Sequence, residues 1–315
     1  AGHLKMVYQD LDISFGIVMG NRGLSPKEHE YPGFLRYCIG VDRGYLKDHS
    51  LTETYDLLEE NLKRRECVGI KLFPGYNRTY ITDREYEPVY ELAEAYGKPV
   101  AVHMGQTAGS CAYLKYSHPL TMDEAAVRHP KVQFVMCHFG NPWLMDAAAV
   151  VEKNENVAAD LSGLLEGKID FPALLKKQRG YFDALKTWIS YCSQYEKFMF
   201  GTDWPLANYG DYIEVVKWLM EMEYIPSFCT ACYRAGRTGD RFMSFCKAGE
   251  ILNFCHPNAL ITLKEYLEDY ASPETREKGI RLIHEEMERI PNPKIREIAL
   301  RNLHEIEEGK RDFRF

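Results

Sequence analysis

Seven short apolar runs punctuate the first two-thirds of the chain, each ending on polar or glycine positions and most followed by a longer amphipathic stretch. They are "SFGIVMG" (14–20), "LRYCIGVD" (35–42), "VGIKLFPG" (68–75), "PVAVHMG" (99–105), "VQFVMCHFG" (132–140), "VAADLSG" (157–163) and "FMFGTDWP" (198–205). Near-continuous hydrophobicity predicts parallel strands covered on both faces. The intervening segments, such as "DREYEPVYELAEAYGK" (83–98), carry apolar residues at helical spacing and a glycine near the end. Strand and helix alternate, which predicts an α/β fold.

The reactive side chains sit at one place in each unit. Lys71, His103, His138, Asp160 and Asp203 all fall at the C-terminal end of an apolar run. In a (β/α)8 barrel those ends converge on a single mouth, whereas an open doubly wound sheet would spread them along a row. The expected architecture is therefore a barrel of the (β/α)8 type, with seven strands legible instead of eight. Such a remainder leaves two sheet edges to be covered and leaves room for a homo-oligomer. His103, His138 and Asp203 together supply the imidazole and carboxylate groups that a water-activating divalent metal needs. Singly, each reads as a hydrogen-bonded histidine or a capping aspartate. Lys71 reads equally as a site residue or a salt-bridged lysine, and Asp160 as a cap for the segment after it.

Beyond residue 222 the style changes, so residues 1–222 are expected to form the barrel and 223–315 a small, mostly helical, cysteine-rich domain. Ser272-Pro273 and Asn292-Pro293 each pair a capping residue with proline at a first helical position. Cys229, Cys232 and Cys255 form C-x2-C-x22-C. Three thiolates with one tight pair suit a 4Fe–4S cluster with one open iron; zinc with His256 as fourth ligand is the rival, and unliganded thiols the third reading. Cys246 reads as a packing residue.

Composition narrows the partners. A net charge of −7 gives no basic field for nucleic acid or anionic membrane. No run approaches the roughly 18 apolar residues of a spanning helix. The nine cysteines form no evenly spaced framework, and "AGHLKMVYQDLDISF" has no uninterrupted apolar core of the kind found in export signals. The expected compartment is the cytoplasm, and the expected partner a small-molecule substrate.

Two family resemblances follow from these motifs. "GIKLFPGY", "PVAVHMG", "FVMCHFGNPW", "VAADLSG" and "FMFGTDWP" resemble the successive strand signatures of the amidohydrolase superfamily, in its amidohydrolase-2 branch of metal-dependent hydrolases and non-oxidative decarboxylases. The resemblance, over about residues 5–220, implies a divalent metal, zinc by expectation, on His103 and Asp203. It implies that His138 binds the metal or activates water, and that Asp203 doubles as a proton acceptor. The His-x-His pair of that family's first strand has no counterpart in this sequence. "YIPSFCTACYRAGRTGDRFM" and "FCHPNALITLKEYLEDYAS" resemble the C-terminal iron–sulfur domain of the radical-SAM tyrosine lyases that mature FeFe-hydrogenase, from about residue 224 to 315. That resemblance implies a cluster on Cys229, Cys232 and Cys255. The C-x3-C-x2-C loop of the radical-SAM barrel does not occur in residues 1–222, so lyase activity is not implied. The expectation is a hydrolase or decarboxylase of a small carboxylated substrate, with His138, Asp203 and Lys71 as catalytic residues, fused to a 4Fe–4S domain. The alternatives are a cluster carrier on a silent barrel scaffold, or a fusion with neither activity.

Overall fold

The structure, a computed structural model, describes residues 2–221 except residue 12 and residues 21–22, 43–49 and 195–196, together with Phe245–Cys246 and a few isolated positions between 273 and 305. All seven expected strands form: β1 Gly16–Met19, β2 Leu35–Val41, β3 Cys67–Leu72, β4 Val100–His103, β5 Phe134–Cys137, β6 Val157–Asp160 and β7 Phe198–Met199. Each pairs in parallel with the next. An eighth strand, β8 Phe245–Cys246, lies parallel to β1 and covers its outer edge, Ile17 opposite Phe245. The order is β7-β6-β5-β4-β3-β2-β1-β8.

The two faces of this sheet are chemically distinct. Ile39, Ile70, Val102, Met136 and Ala159 point outward into the main core. There they pack beneath the helices α2 (Leu51–Lys63), α3 (Glu87–Tyr96), α4 (Leu120–Arg128), α5 (Leu144–Lys153), α6 (Phe171–Cys192) and α7 (Tyr209–Glu221). Capping follows local chemistry: the Ser50 hydroxyl accepts from Glu53 N at 3.1 Å at the start of α2, and Gly97 closes α3 at φ +57°. The inner face holds a smaller cluster of Ile17, Met19, Cys38, Ala101, Val135 and Cys137, with Met199 against it. Seven parallel strands with helices packed on one face and a small side-chain cluster on the other form a curled barrel wall.

A helix the sequence reading did not anticipate, Gly2–Asp10 (here α1), packs through Tyr8 between the start of the wall and the start of α7. The Tyr8 ring meets Phe34 just before β2 at 5.5 Å and Tyr209, the first residue of α7, at 5.7 Å, both edge-on. Its hydroxyl occupies the space a side chain on Gly16 would need. Among the described residues no helix is long and apolar enough to cross a membrane.

Candidate active site

Strand parity decides which side chains enter the barrel. Lys71 stands opposite Ala101 and His103 opposite Cys137. Ala101 and Cys137 belong to the inner cluster, so Lys71 and His103 face inward as well. Asp160, paired with Met199, does the same. Lys71, His103 and Asp160 occupy the last two positions of β3, β4 and β6, His138 directly follows β5, Asp203 lies four residues beyond β7, and all five are buried.

His138 and Asp203 share an unusual backbone. Both adopt left-handed conformations, φ +63° and +57°, and Phe139 follows at +44°. Such positions are strained for non-glycine residues and persist only where the surroundings impose them. They turn each side chain off the strand end and over the barrel mouth. The loops bearing the two histidines are tied together by Gln106 N, which donates to Asn141 O at 2.7 Å.

The imidazoles meet edge to face, with His138 Nε2 3.1 Å from His103 Nδ1. Each ring's other nitrogen is spoken for by a carbonyl oxygen, which can only accept. His103 Nε2 reaches Gln106 O at 3.0 Å, and His138 Nδ1 reaches Ser162 O at 3.1 Å. Both outer nitrogens must then be the N–H donors, so the two facing nitrogens present lone pairs to each other. Lone pairs this close repel unless a positive charge, a proton or a metal ion, is held by both. Asp203 stands beside the same ring: the Cβ position of Gly163 lies 2.8 Å from His138 Nδ1 and 3.1 Å from Asp203 Oδ2.

Below the pair lies a buried charge. Lys71, 1% exposed, donates to Cys137 Sγ at 2.8 Å, and its ammonium sits 5.3 Å from the Phe73 ring centre. Burial pushes the Cys137 thiol far up, the Asp160 carboxylate adds to that, and the Lys71 ammonium opposes it. Cys38 is likewise pushed up by burial. Both are neutral thiols, not nucleophiles. Tyr76 closes the side of the site, its ring edge-on to His103 at 5.1 Å and its hydroxyl accepting from Ala108 N at 2.9 Å.

The donor chemistry, two imidazole nitrogens with a neighbouring carboxylate, is what zinc and similar ions take. Among the described residues, no three His, Cys, Asp or Glu side chains converge closely enough to hold an ion alone, so His103 and His138 form the ligand edge and Asp203 flanks it. Sequence reasoning missed Ser162, Gly163, Cys137 and Tyr76; the only signal for the first two was the "ADLSG" run. Cys229, Cys232 and Cys255 lie outside the described residues.

Comparison with known proteins bears on the same region. The family model described as Amidohydrolase matches residues 30–227 and stops short of Cys229. No curated protein matches the chain. Among solved structures, an uncharacterised TIM-barrel protein from Bordetella bronchiseptica aligns over 74% of this chain and 82% of its own, at 17% identity and a TM-score of 0.51. An amidohydrolase from Burkholderia multivorans with bound zinc covers 72% and 82%, at 15% identity and 0.51. The 5-carboxyvanillate decarboxylase of Sphingomonas paucimobilis covers 74% and 81%, at 12% identity and 0.50. At these identities the likeness is one of fold, and the fold shared is a (β/α) barrel.

Proposed function

The chain belongs to the amidohydrolase family, and from that premise we propose that it is a metal-dependent hydrolase or non-oxidative decarboxylase of a small carboxylated substrate. The observation that carries this reading is the pair of imidazole nitrogens 3.1 Å apart, each with its ring proton directed to a carbonyl. His103 and His138 would hold a divalent ion, zinc in our reading, which when bound supplies Lewis acidity to an oxygen of water or substrate. Asp203, on the Gly163 side of the His138 ring, would take up or return the proton. Lys71 contributes a fixed positive charge beneath the site, favouring an anionic substrate without touching it. The zinc-bound and decarboxylase neighbours support the reading by analogy of fold.

Metal titration of the purified protein tests it. One zinc ion per chain is expected, with affinity reduced roughly 10–100-fold or more by His103→Ala, the range seen when even the outer partners of a ligand are removed. A protein that takes up no zinc, cobalt or manganese, or binds as tightly without His103, would sink the proposal.

A second reading rests on the sequence beyond the family match. We propose that Cys229, Cys232 and Cys255 hold a 4Fe–4S cluster, in the C-x2-C-x22-C spacing. Protein purified without oxygen should carry iron and acid-labile sulfide in equal amounts and lose both in Cys229→Ser. Zinc in place of iron and sulfide overturns the cluster and favours a site completed by His256.

A further inference from the structure

We infer that Asp160 is the positioning residue that anchors the His138 turn and holds the Ser162 hydroxyl from donating to Nδ1, so that the ring proton stays on Nδ1 and Nε2 keeps its lone pair; the inference rests on the reading of His138 as a metal ligand. Asp160 is fully buried, and a single oxygen, Oδ1, does three things. It accepts the His138 backbone N–H at 3.0 Å, the Ser162 backbone N–H at 2.9 Å, and the Ser162 hydroxyl in a short hydrogen bond.

The third of these sets the direction of the whole chain. A serine hydroxyl has one proton, and a carboxylate can only accept, so the Ser162 proton points at Asp160. Toward His138 Nδ1, 3.0 Å away, the Ser162 oxygen is then left as an acceptor, as is the Ser162 carbonyl. Nδ1 must therefore be the donor, and the lone pair falls on Nε2, the atom facing His103. The first bond acts on the backbone. The His138 N–H is anchored to a charged acceptor in the left-handed turn at φ +63°, where a strained conformation needs an opposing interaction. One carboxylate thus holds the backbone that carries the ring and keeps the Ser162 hydroxyl from competing for the nitrogen whose proton the Ser162 carbonyl accepts.

Asparagine at 160 keeps the frame: two backbone N–H groups point at Oδ1, so its amide oxygen takes that place and still accepts the Ser162 hydroxyl. Alanine removes the acceptor, and the Ser162 hydroxyl proton is then free to turn toward His138 Nδ1 in competition with the ring proton. The test is nitrogen NMR of the metal-free full-length protein labelled at its histidines, at mildly alkaline pH, with a zinc titration alongside. In the unmodified protein and in Asp160→Asn, His138 should carry its proton on Nδ1. In Asp160→Ala a form protonated on Nε2 should appear, and zinc affinity should fall about 10–100-fold. If Asp160→Ala does not fold, the unmodified protein still decides: a His138 with its proton on Nε2 refutes the inference. Equally fatal is a folded Asp160→Ala whose His138 ring and zinc affinity are unchanged. Should the proton shift as stated while the unmodified protein binds no zinc, the positioning role stands and the metal reading falls.

Discussion

Gly163→Ala is expected to disarm the site while leaving the barrel folded. The new methyl group would sit 2.8 Å from His138 Nδ1 and 3.1 Å from Asp203 Oδ2, closer than carbon tolerates against either atom. Neither group can yield cheaply, because His138 is held from behind by Ser162 and Asp160, and Asp203 sits on a left-handed turn. Gly163 itself has φ +61°, so alanine adds about 1–2 kcal/mol of backbone strain. The imidazole is driven off its place by several tenths of an ångström, and displacements approaching 1 Å cost about a hundredfold in rate. Zinc affinity of the variant should drop at least tenfold, with a loss of only a few degrees in melting temperature. Full zinc affinity in Gly163→Ala would show that Gly163 does not wedge between the two groups as described.

Lys71→Met separates what the buried ammonium does for function from what it does for the fold. Among the described residues no carboxylate pairs with Lys71; its acceptor is a neutral thiol. A buried charge with so weak a partner is held against a desolvation penalty. Methionine of similar length should therefore leave stability unchanged or raise it by about 1–3 kcal/mol, read as roughly 2–4 °C of melting temperature per kcal/mol. The same change removes positive charge from beneath the histidines. Small carboxylates that raise the melting temperature of the unmodified protein should have no such effect on the variant. If Lys71→Met unfolds the chain, the lysine is part of the structural frame; if carboxylates still stabilise it, the charge plays no part in anion binding.

The barrel wall was readable because each strand is buried on both sides, leaving the chain no choice but runs such as "VAVH" and "FVMC". The candidate site followed from strand ends, since reactive residues there converge whatever the loops do. Two things were not readable. One is backbone sign: nothing in "CHFG" says that His138 and Phe139 turn left-handed. The other is hydrogen-bond direction: "ADLSG" reads as a cap, and Asp160 does bind Ser162 as a cap would, but its reach to His138, 22 positions earlier, is a fact of the third dimension. Helix α1 left only a faint trace, because it buries little beyond Val7 and Tyr8. Strand β8 came from a stretch without periodicity, where two residues of edge pairing leave no pattern.

The Tyr8 clasp has a consequence for how the site comes into being. Tyr8 and Tyr209 stand 201 positions apart, and Tyr209 stacks flat on Trp204, the neighbour of Asp203. Contacts that span so much chain close late, after the cost of a long loop has been met. During synthesis the histidine pair can be assembled once residue 162 has left the ribosome. Asp203 arrives only when the far end of the wall swings round to meet a helix made some 201 positions earlier. The site is thus built in two instalments, and an opening of the clasp in the finished protein would release Asp203 first and leave His103 and His138 facing each other.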